Sequence, residues 1–160
     1  MIRISVPGKN ALHLQYLLLD LNGTLTLDGK ILPGVQKRLD RLSEVLEIFL
    51  VTCDTHGNGA QIAQELGIGL IRTGEAQEKA KAARSLGEEQ TAAIGNGDSD
   101  MLMLKECALG VAVLGDEGLS VKALLSADIM ACNICDALDL LLEEKRLIAT
   151  LRGSPQKTTS

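Results

Sequence analysis

Short apolar runs alternate with segments of helical period along almost the whole chain, and this alternation limits the fold more than any other feature. The runs fall at residues 15–20, 48–52, 69–72, 91–95 and 110–114, with a shorter one at 128–131. Helix-period segments follow them at 34–47, 58–66, 75–86, 100–106, 118–126 and 134–143. Strands that alternate with helices in this way build βαβ units and a parallel sheet, so the class is α/β. The first helix illustrates the pattern: Val35, Leu39, Leu42 and Leu46 share one face, while Lys37, Arg38, Asp40 and Arg41 turn elsewhere. Pro33 sits where a helix start tolerates it. Ahead of the first unit, residues 2–6 and 12–14 flank Pro7-Gly8-Lys9-Asn10, which predicts an N-terminal β-hairpin.

The length, 160 residues with 46% hydrophobic, suits one sizeable core, so a single domain is expected over 1–152 and a polar, disordered tail over 153–160. No apolar run approaches the roughly 18 residues that span a bilayer, and the start MIRISVPGK lacks a signal-peptide core. The expectation is a soluble, cytoplasmic protein without membrane partners. A net charge of −5 and the lack of a long basic cluster disfavour nucleic acid. Tyr16 and Phe49 are the whole aromatic complement, which leaves little to stack a nucleotide base on. The four cysteines read as reduced, mostly buried thiols, and Cys132 and Cys135 form a lone CxxC without a second ligand pair.

In an open parallel sheet, ligands bind beyond the carboxyl ends of the strands. Three of those ends carry unusual polar residues. The first run stops at Asp20, the second delivers Thr52 with Asp54 close behind, and the fourth opens into GNGDSD, Gly95 to Asp100. Any one of these is an ordinary turn. Together they bring Asp20, Asp98 and Asp100 towards one place, and carboxylates crowded at low dielectric are commonly held by a hard divalent cation, Mg2+ above all. A cation beside a nucleophilic aspartate, a threonine hydroxyl and a lysine is what phosphoryl transfer requires.

These residues resemble the motifs of the haloacid dehalogenase (HAD) superfamily of phosphohydrolases, over Asp20 to about Asp128. The family's DxDGT is matched by Asp20-Leu21-Asn22-Gly23-Thr24 at every position but the third, and its strand ending in threonine by Thr52. Its lysine is matched by Lys79 or Lys81, with Lys79 at the spacing nearer the family's habit. Its GDGxND is matched by Gly95-Asn96-Gly97-Asp98-Ser99-Asp100. The resemblance implies a Rossmann-like three-layer sandwich with a mostly parallel central sheet. It also implies a phosphatase in which Asp20 is the nucleophile, Thr52 and Lys79 bind phosphate, and Asp20, the Asn22 carbonyl, Asn96 and Asp100 hold Mg2+. The substrate would be a phosphorylated small molecule or a phosphoprotein.

Two departures qualify this. Where the family's phosphatases carry a second acid that moves protons, this chain has Asn22, and loss of such a group costs about 10²- to 10⁴-fold in rate. Asn96 likewise stands where a carboxylate is usual, with Asp98 as a candidate to compensate. The segment DLNGTLT is similar to the DKTGTLT of P-type ATPases, whose phosphoenzyme must persist, and a softer likeness to their soluble relatives runs through residues 108–148. Neither 25–32 nor 72–75 has room for a cap domain, and capless relatives commonly close their sites with another subunit, which implies a homo-oligomer. An alternative reading stays open on sequence, a non-catalytic or regulatory module on the same fold. His56, after the second motif, is a candidate substitute acid or an ordinary solvated histidine.

Overall fold

The structure, a computed structural model, describes residues 1–54 and 57–153. An antiparallel hairpin of β1 (Ile2–Ile4) and β2 (Leu12–Leu14) opens the chain. It leads into β3 (Tyr16–Leu19), a second hairpin of β4 (Thr26–Leu27) and β5 (Lys30–Ile31), and helix α1 (Val35–Ser43). Then come β6 (Glu47–Thr52), α2 (Gly59–Leu66), β7 (Gly69–Arg72), α3 (Ala76–Leu86) and β8 (Thr91–Gly95). The chain continues through α4 (Met101–Glu106), β9 (Leu109–Val113), α5 (Val121–Ser126), β10 (Ile129–Ala131), α6 (Ile134–Leu142) and α7 (Glu144–Leu151).

Among the described residues, six strands form one parallel sheet in the order β10-β9-β8-β3-β6-β7. The order reverses beside β3, since the chain first builds outward through β6 and β7 and then returns to β8 on the other side. Helices cover both faces, so the strands read as continuous apolar runs: Leu17, Leu18 and Leu19 are all fully buried. On one face Leu17, Leu19, Leu50 and Ile94 pack with Leu39 of α1, Ile62 of α2, Leu138 of α6 and Leu147 of α7. On the other, Leu18, Val51 and Ala93 meet Ala83 of α3, Met103 and Leu104 of α4 and Ala123 of α5. The result is the three-layer sandwich. In it, Leu17 of β3 lies level with Ile48 and Ala92, and Leu19 with Leu50 and Ile94, so the residues that follow these strands emerge at one rim.

Several sequence expectations need correcting. Helix α1 stops at Ser43, because Leu46 packs into the core from the loop and Glu47 already pairs with Tyr16 in the sheet. The helical period does not end at 143. Glu143 breaks it with φ −119° and ψ 77°, and α7 then buries Leu147 and Leu151. The segment 25–32 is too short for a cap, yet it forms the β4–β5 hairpin, turning through Asp28 and Gly29, both at positive φ. The thiols are not mostly buried: Cys107 is, but Cys53 and Cys132 lie exposed on loops at the rim and Cys135 is half-buried. All four are free. Among the described residues no helix is long and apolar enough to cross a membrane.

Candidate active site

Asp20 leaves β3 at the rim, its backbone N–H held by the Ile94 carbonyl at 3.0 Å. Gly23 turns the chain at φ 77°, and a side chain there would collide with the Asn96 amide. Thr52 ends β6, 2% exposed, its Oγ1 accepting the Asp54 N–H at 2.9 Å. Lys79 sits in the first turns of α3, packed over β3 and β8 by the small side chains Ala80 and Ala83, and is 1% exposed. Its Nζ donates to Asp20 Oδ1 and to Asp100 Oδ1, each at 2.7 Å. Lys81, two residues on, points its side of the helix to solvent.

Asp100 is reached through a single 3-10 turn, Asp98–Asp100, after β8. Its carboxylate folds back beneath the loop and accepts the N–H groups of Asn96 at 3.0 Å and Gly97 at 2.9 Å. A Cβ on Gly95 would stand 2.5 Å from Asp100 Cγ, so this fold-back requires a glycine there. The same turn swings Asp98 outward, where it bonds Ser120 and pairs with Lys122 at 2.9 Å. Asp98 therefore does not join the buried carboxylates. Asn96 donates from Nδ2 to the Gly118 carbonyl at 3.1 Å, which turns its Oδ1 inward to Thr24 Oγ1 at 3.1 Å.

Asp20, Asn22, Thr52, Lys79 and Asn96 line one cleft of about 170 Å³, with Asp100 behind Lys79. Two participants were not singled out from sequence. Thr24, fully buried, lies within hydrogen-bond reach of both Asp20 Oδ2, at 3.2 Å, and Asn96 Oδ1. Cys53 lines the cleft and donates to the Gly74 carbonyl. Thr24 belongs to the quoted motif, but its link to Asn96 joins residues 72 apart. His56 lies outside the described residues.

Burial and the neighbouring Asp100 charge push the Asp20 carboxyl up to about 6, against the opposing pull of Lys79. Burial would lower the Lys79 pKa, but the charges and hydrogen bonds of the two aspartates outweigh it and raise it. Lys79 is a fixed cation. The donor set for a metal is all oxygen, as Mg2+ prefers. Among the described residues no cluster of three or more acidic, histidine or cysteine side chains forms, so a cation here would draw on amide and carbonyl oxygens as well as on Asp20 and Asp100. Asn22 Oδ1, buried with no hydrogen-bond partner among the described residues, is consistent with that: it is an acceptor that a metal-held water could satisfy.

No family model matches the chain. Two uncharacterised proteins of Methanocaldococcus jannaschii match parts of it. One is 58% identical over 60 residues, 38% of this chain, and the match spans 64% of that protein's length, just under two thirds. The other is 54% identical over 39 residues, 24% of this chain and 89% of that protein. Among solved structures, the cobalt-bound deoxy-D-mannose-octulosonate 8-phosphate phosphatase of Haemophilus influenzae superposes with TM-score 0.69 at 16% identity, covering 84% of this chain and 90% of that one. The Moraxella catarrhalis 3-deoxy-D-manno-octulosonate 8-phosphate phosphatase, in complex with magnesium, phosphate and sugar, gives 0.66 at 20% identity over 88% and 94%. A zinc-transporting PIB-type ATPase in its E2.Pi state gives 0.63 at 24% identity, over 76% of this chain and 20% of that much longer one. The chain has the HAD-like fold in its capless form, the fold of these phosphatases, and it shares that architecture with part of the ATPase.

Proposed function

We propose that the protein is a magnesium-dependent phosphohydrolase or phosphotransferase that works through an aspartyl-phosphate on Asp20. The observation that carries this reading is the buried Lys79 held 2.7 Å from both Asp20 and Asp100, beside Thr52 and Asn96, at the carboxyl rim of the sheet. The cobalt and the magnesium and phosphate bound by the Haemophilus and Moraxella phosphatases support it at the level of fold.

In this reading Asp20 attacks phosphorus with one carboxylate oxygen. Lys79 and the Thr52 hydroxyl neutralise and orient the phosphoryl oxygens, where donors fixed in place cost no reorganisation during reaction. Asp20, the Asn22 carbonyl, Asn96 and Asp100 are the oxygens that would hold Mg2+, which shields the anionic phosphate from the attacking carboxylate. Thr24 fixes the orientation of Asp20 and Asn96 relative to one another. Asn22 keeps the shape of the motif without its proton chemistry, so turnover is slow and phospho-Asp20 long-lived. The substrate is a phosphorylated small molecule or phosphoprotein, and a second copy of the chain closes the uncapped cleft.

The test is phosphate release from generic phosphate compounds with Mg2+, comparing the wild type with Asp20→Asn, together with intact mass after exposure to a phosphoryl donor. A hydroxylamine-labile phosphoryl group on the wild type, absent from the variant, is expected. Equal phosphate release by both proteins would refute the reading, and no phosphoryl mass shift together with no Mg2+ binding would favour a regulatory module.

A further inference from the structure

Among the described residues, the cleft offers a nucleophile but no carboxyl or imidazole free to hand a proton to a departing group, and the Cys53 thiol in its lining donates to the Gly74 carbonyl. Asn22 stands at its wall where a carboxyl would do this, and an amide donates a hydrogen bond without releasing the proton. The other ionisable groups nearby are committed. Lys79 is held by two carboxylates. Asp54 accepts the Gly59 N–H at 2.7 Å and pairs with Arg72 at 3.2 Å. Asp98 faces outward to Lys122. Glu117 lies against Gly23 and accepts the Asp28 N–H at 3.1 Å, lining a different cavity.

We propose that this site takes phosphoryl donors whose leaving group departs as a stable anion, small acyl phosphates above all, and discriminates against phosphate esters of alcohols. The proposal rests on the phospho-Asp20 reading and names its substrate class. As an Asp20 oxygen bonds to phosphorus, the bond from phosphorus to the leaving oxygen breaks, and its electron pair leaves with that oxygen. A carboxylate, whose acid has a pKa near 4, carries that pair without a proton. An alkoxide is nearer to water, at about 15.7, and needs one. In the second step water bonds to phosphorus, the electron pair of the Asp20–phosphorus link returns to the Asp20 carboxylate, and both of the water's protons leave on the phosphate product. No acid among the described residues enters either step.

Size separates acyl phosphates from nucleotides, which also have good leaving groups. The cleft is about 170 Å³, against roughly 300 Å³ or more for ordinary ligand sites. Neither aromatic side chain lines it: Tyr16 begins β3, at the opposite end of that strand from Asp20, and Phe49 packs against Gly69.

The experiment follows phospho-Asp20 by rapid quench and mass spectrometry, with Mg2+, for acetyl phosphate, p-nitrophenyl phosphate, ATP and glycerol 3-phosphate. Acetyl phosphate should react at least about 10²-fold faster than glycerol 3-phosphate, with p-nitrophenyl phosphate between them. Asn22→Asp should raise the glycerol 3-phosphate rate about 10²-fold and so narrow the ratio between the two donors. The wild-type donor series alone decides the matter if that variant fails to fold. Equal wild-type rates for acetyl phosphate and glycerol 3-phosphate overturn the proposal while leaving phospho-Asp20 intact, and a faster reaction with ATP than with acetyl phosphate overturns its preference for small donors. No phosphoenzyme from any donor overturns both readings.

Discussion

Replacing Lys79 by methionine removes one cation from between two buried carboxylates. The Nζ is 2.7 Å from each, and the three side chains are 1%, 10% and 0% exposed for Lys79, Asp20 and Asp100, so water cannot take over its role. Breaking a buried pair by deleting one partner typically costs about 3–5 kcal/mol. Here two acids are stranded and repel each other, so the upper half of that range is expected at pH 7, a large share of the roughly 5–15 kcal/mol that holds a domain together. The pH dependence has a definite sign. The Asp20 carboxyl already sits at about 6 when folded, against 3.8 for an unperturbed aspartate, and loss of Lys79 moves it higher. Between those two values the folded state binds the proton that the unfolded state has released, so stability falls as pH rises. The deficit of Lys79→Met is therefore smallest near pH 4 and widens towards neutrality. In the proposed reading Mg2+ would supply the missing charge, and at about a hundredfold over its dissociation constant it should recover about 2–3 kcal/mol, more than it adds to the wild type. Urea unfolding followed by circular dichroism, at about pH 4.5 and pH 7 with and without Mg2+, measures all of this. A loss below about 1 kcal/mol at neutral pH, or one that does not change with pH, would refute the reasoning.

Asn96→Asp exchanges the Nδ2 donor to the Gly118 carbonyl for a second repelled oxygen, so metal-free stability should drop by about 1–3 kcal/mol. Mg2+ affinity by calorimetry should rise by about tenfold or more from the added carboxylate, and unchanged affinity would exclude Asn96 from the metal site. Gly95→Ala places a methyl 2.5 Å from Asp100 Cγ and 2.6 Å from its Oδ2, which should cost about 2–3 kcal/mol and abolish phosphoenzyme formation. Wild-type unfolding midpoints and phosphorylation in that variant would mean that Asp100 need not fold back under its loop.

The order of strands and helices was legible because each buried strand had to be an unbroken apolar run and each helix an amphipathic one. Boundaries blurred where those periods stopped carrying information. Leu46 fits the stripe of α1 and is indeed buried, but from a loop, so burial periodicity overran the helix. Helix α7 was missed because no glycine or proline marks the break at Glu143, and its stripe of Leu147, Ile148 and Leu151 spans little more than one turn. The β4–β5 hairpin did carry a signal, the Asp28-Gly29 pair at its turn, but strands of two residues are too short to alternate.

That the candidate site residues meet at one rim was legible for a different reason from their charge balance. Asp20, Thr52 and Asn96 follow directly from strand ends, and parallel register brings strand ends to one rim whatever the loops do. Asp98 and Asp100 could not be separated in that way, because which of them faces inward depends on one 3-10 turn and on the bare Cα of Gly95. The amide at position 96 is a similar case. Read along the chain it is a weakened metal ligand, but in the structure its Nδ2 ties the β8 loop to Gly118, while the Ser120 N–H returns to the Asn96 carbonyl at 2.8 Å. A carboxylate could make neither the first bond nor the inward turn of Oδ1 that depends on it. With Asn22 and Asn96 both neutral, the buried site holds two negative charges against one positive, so Lys79 alone leaves it one charge short of balance, and a divalent cation would leave it net positive to receive a phosphoryl dianion.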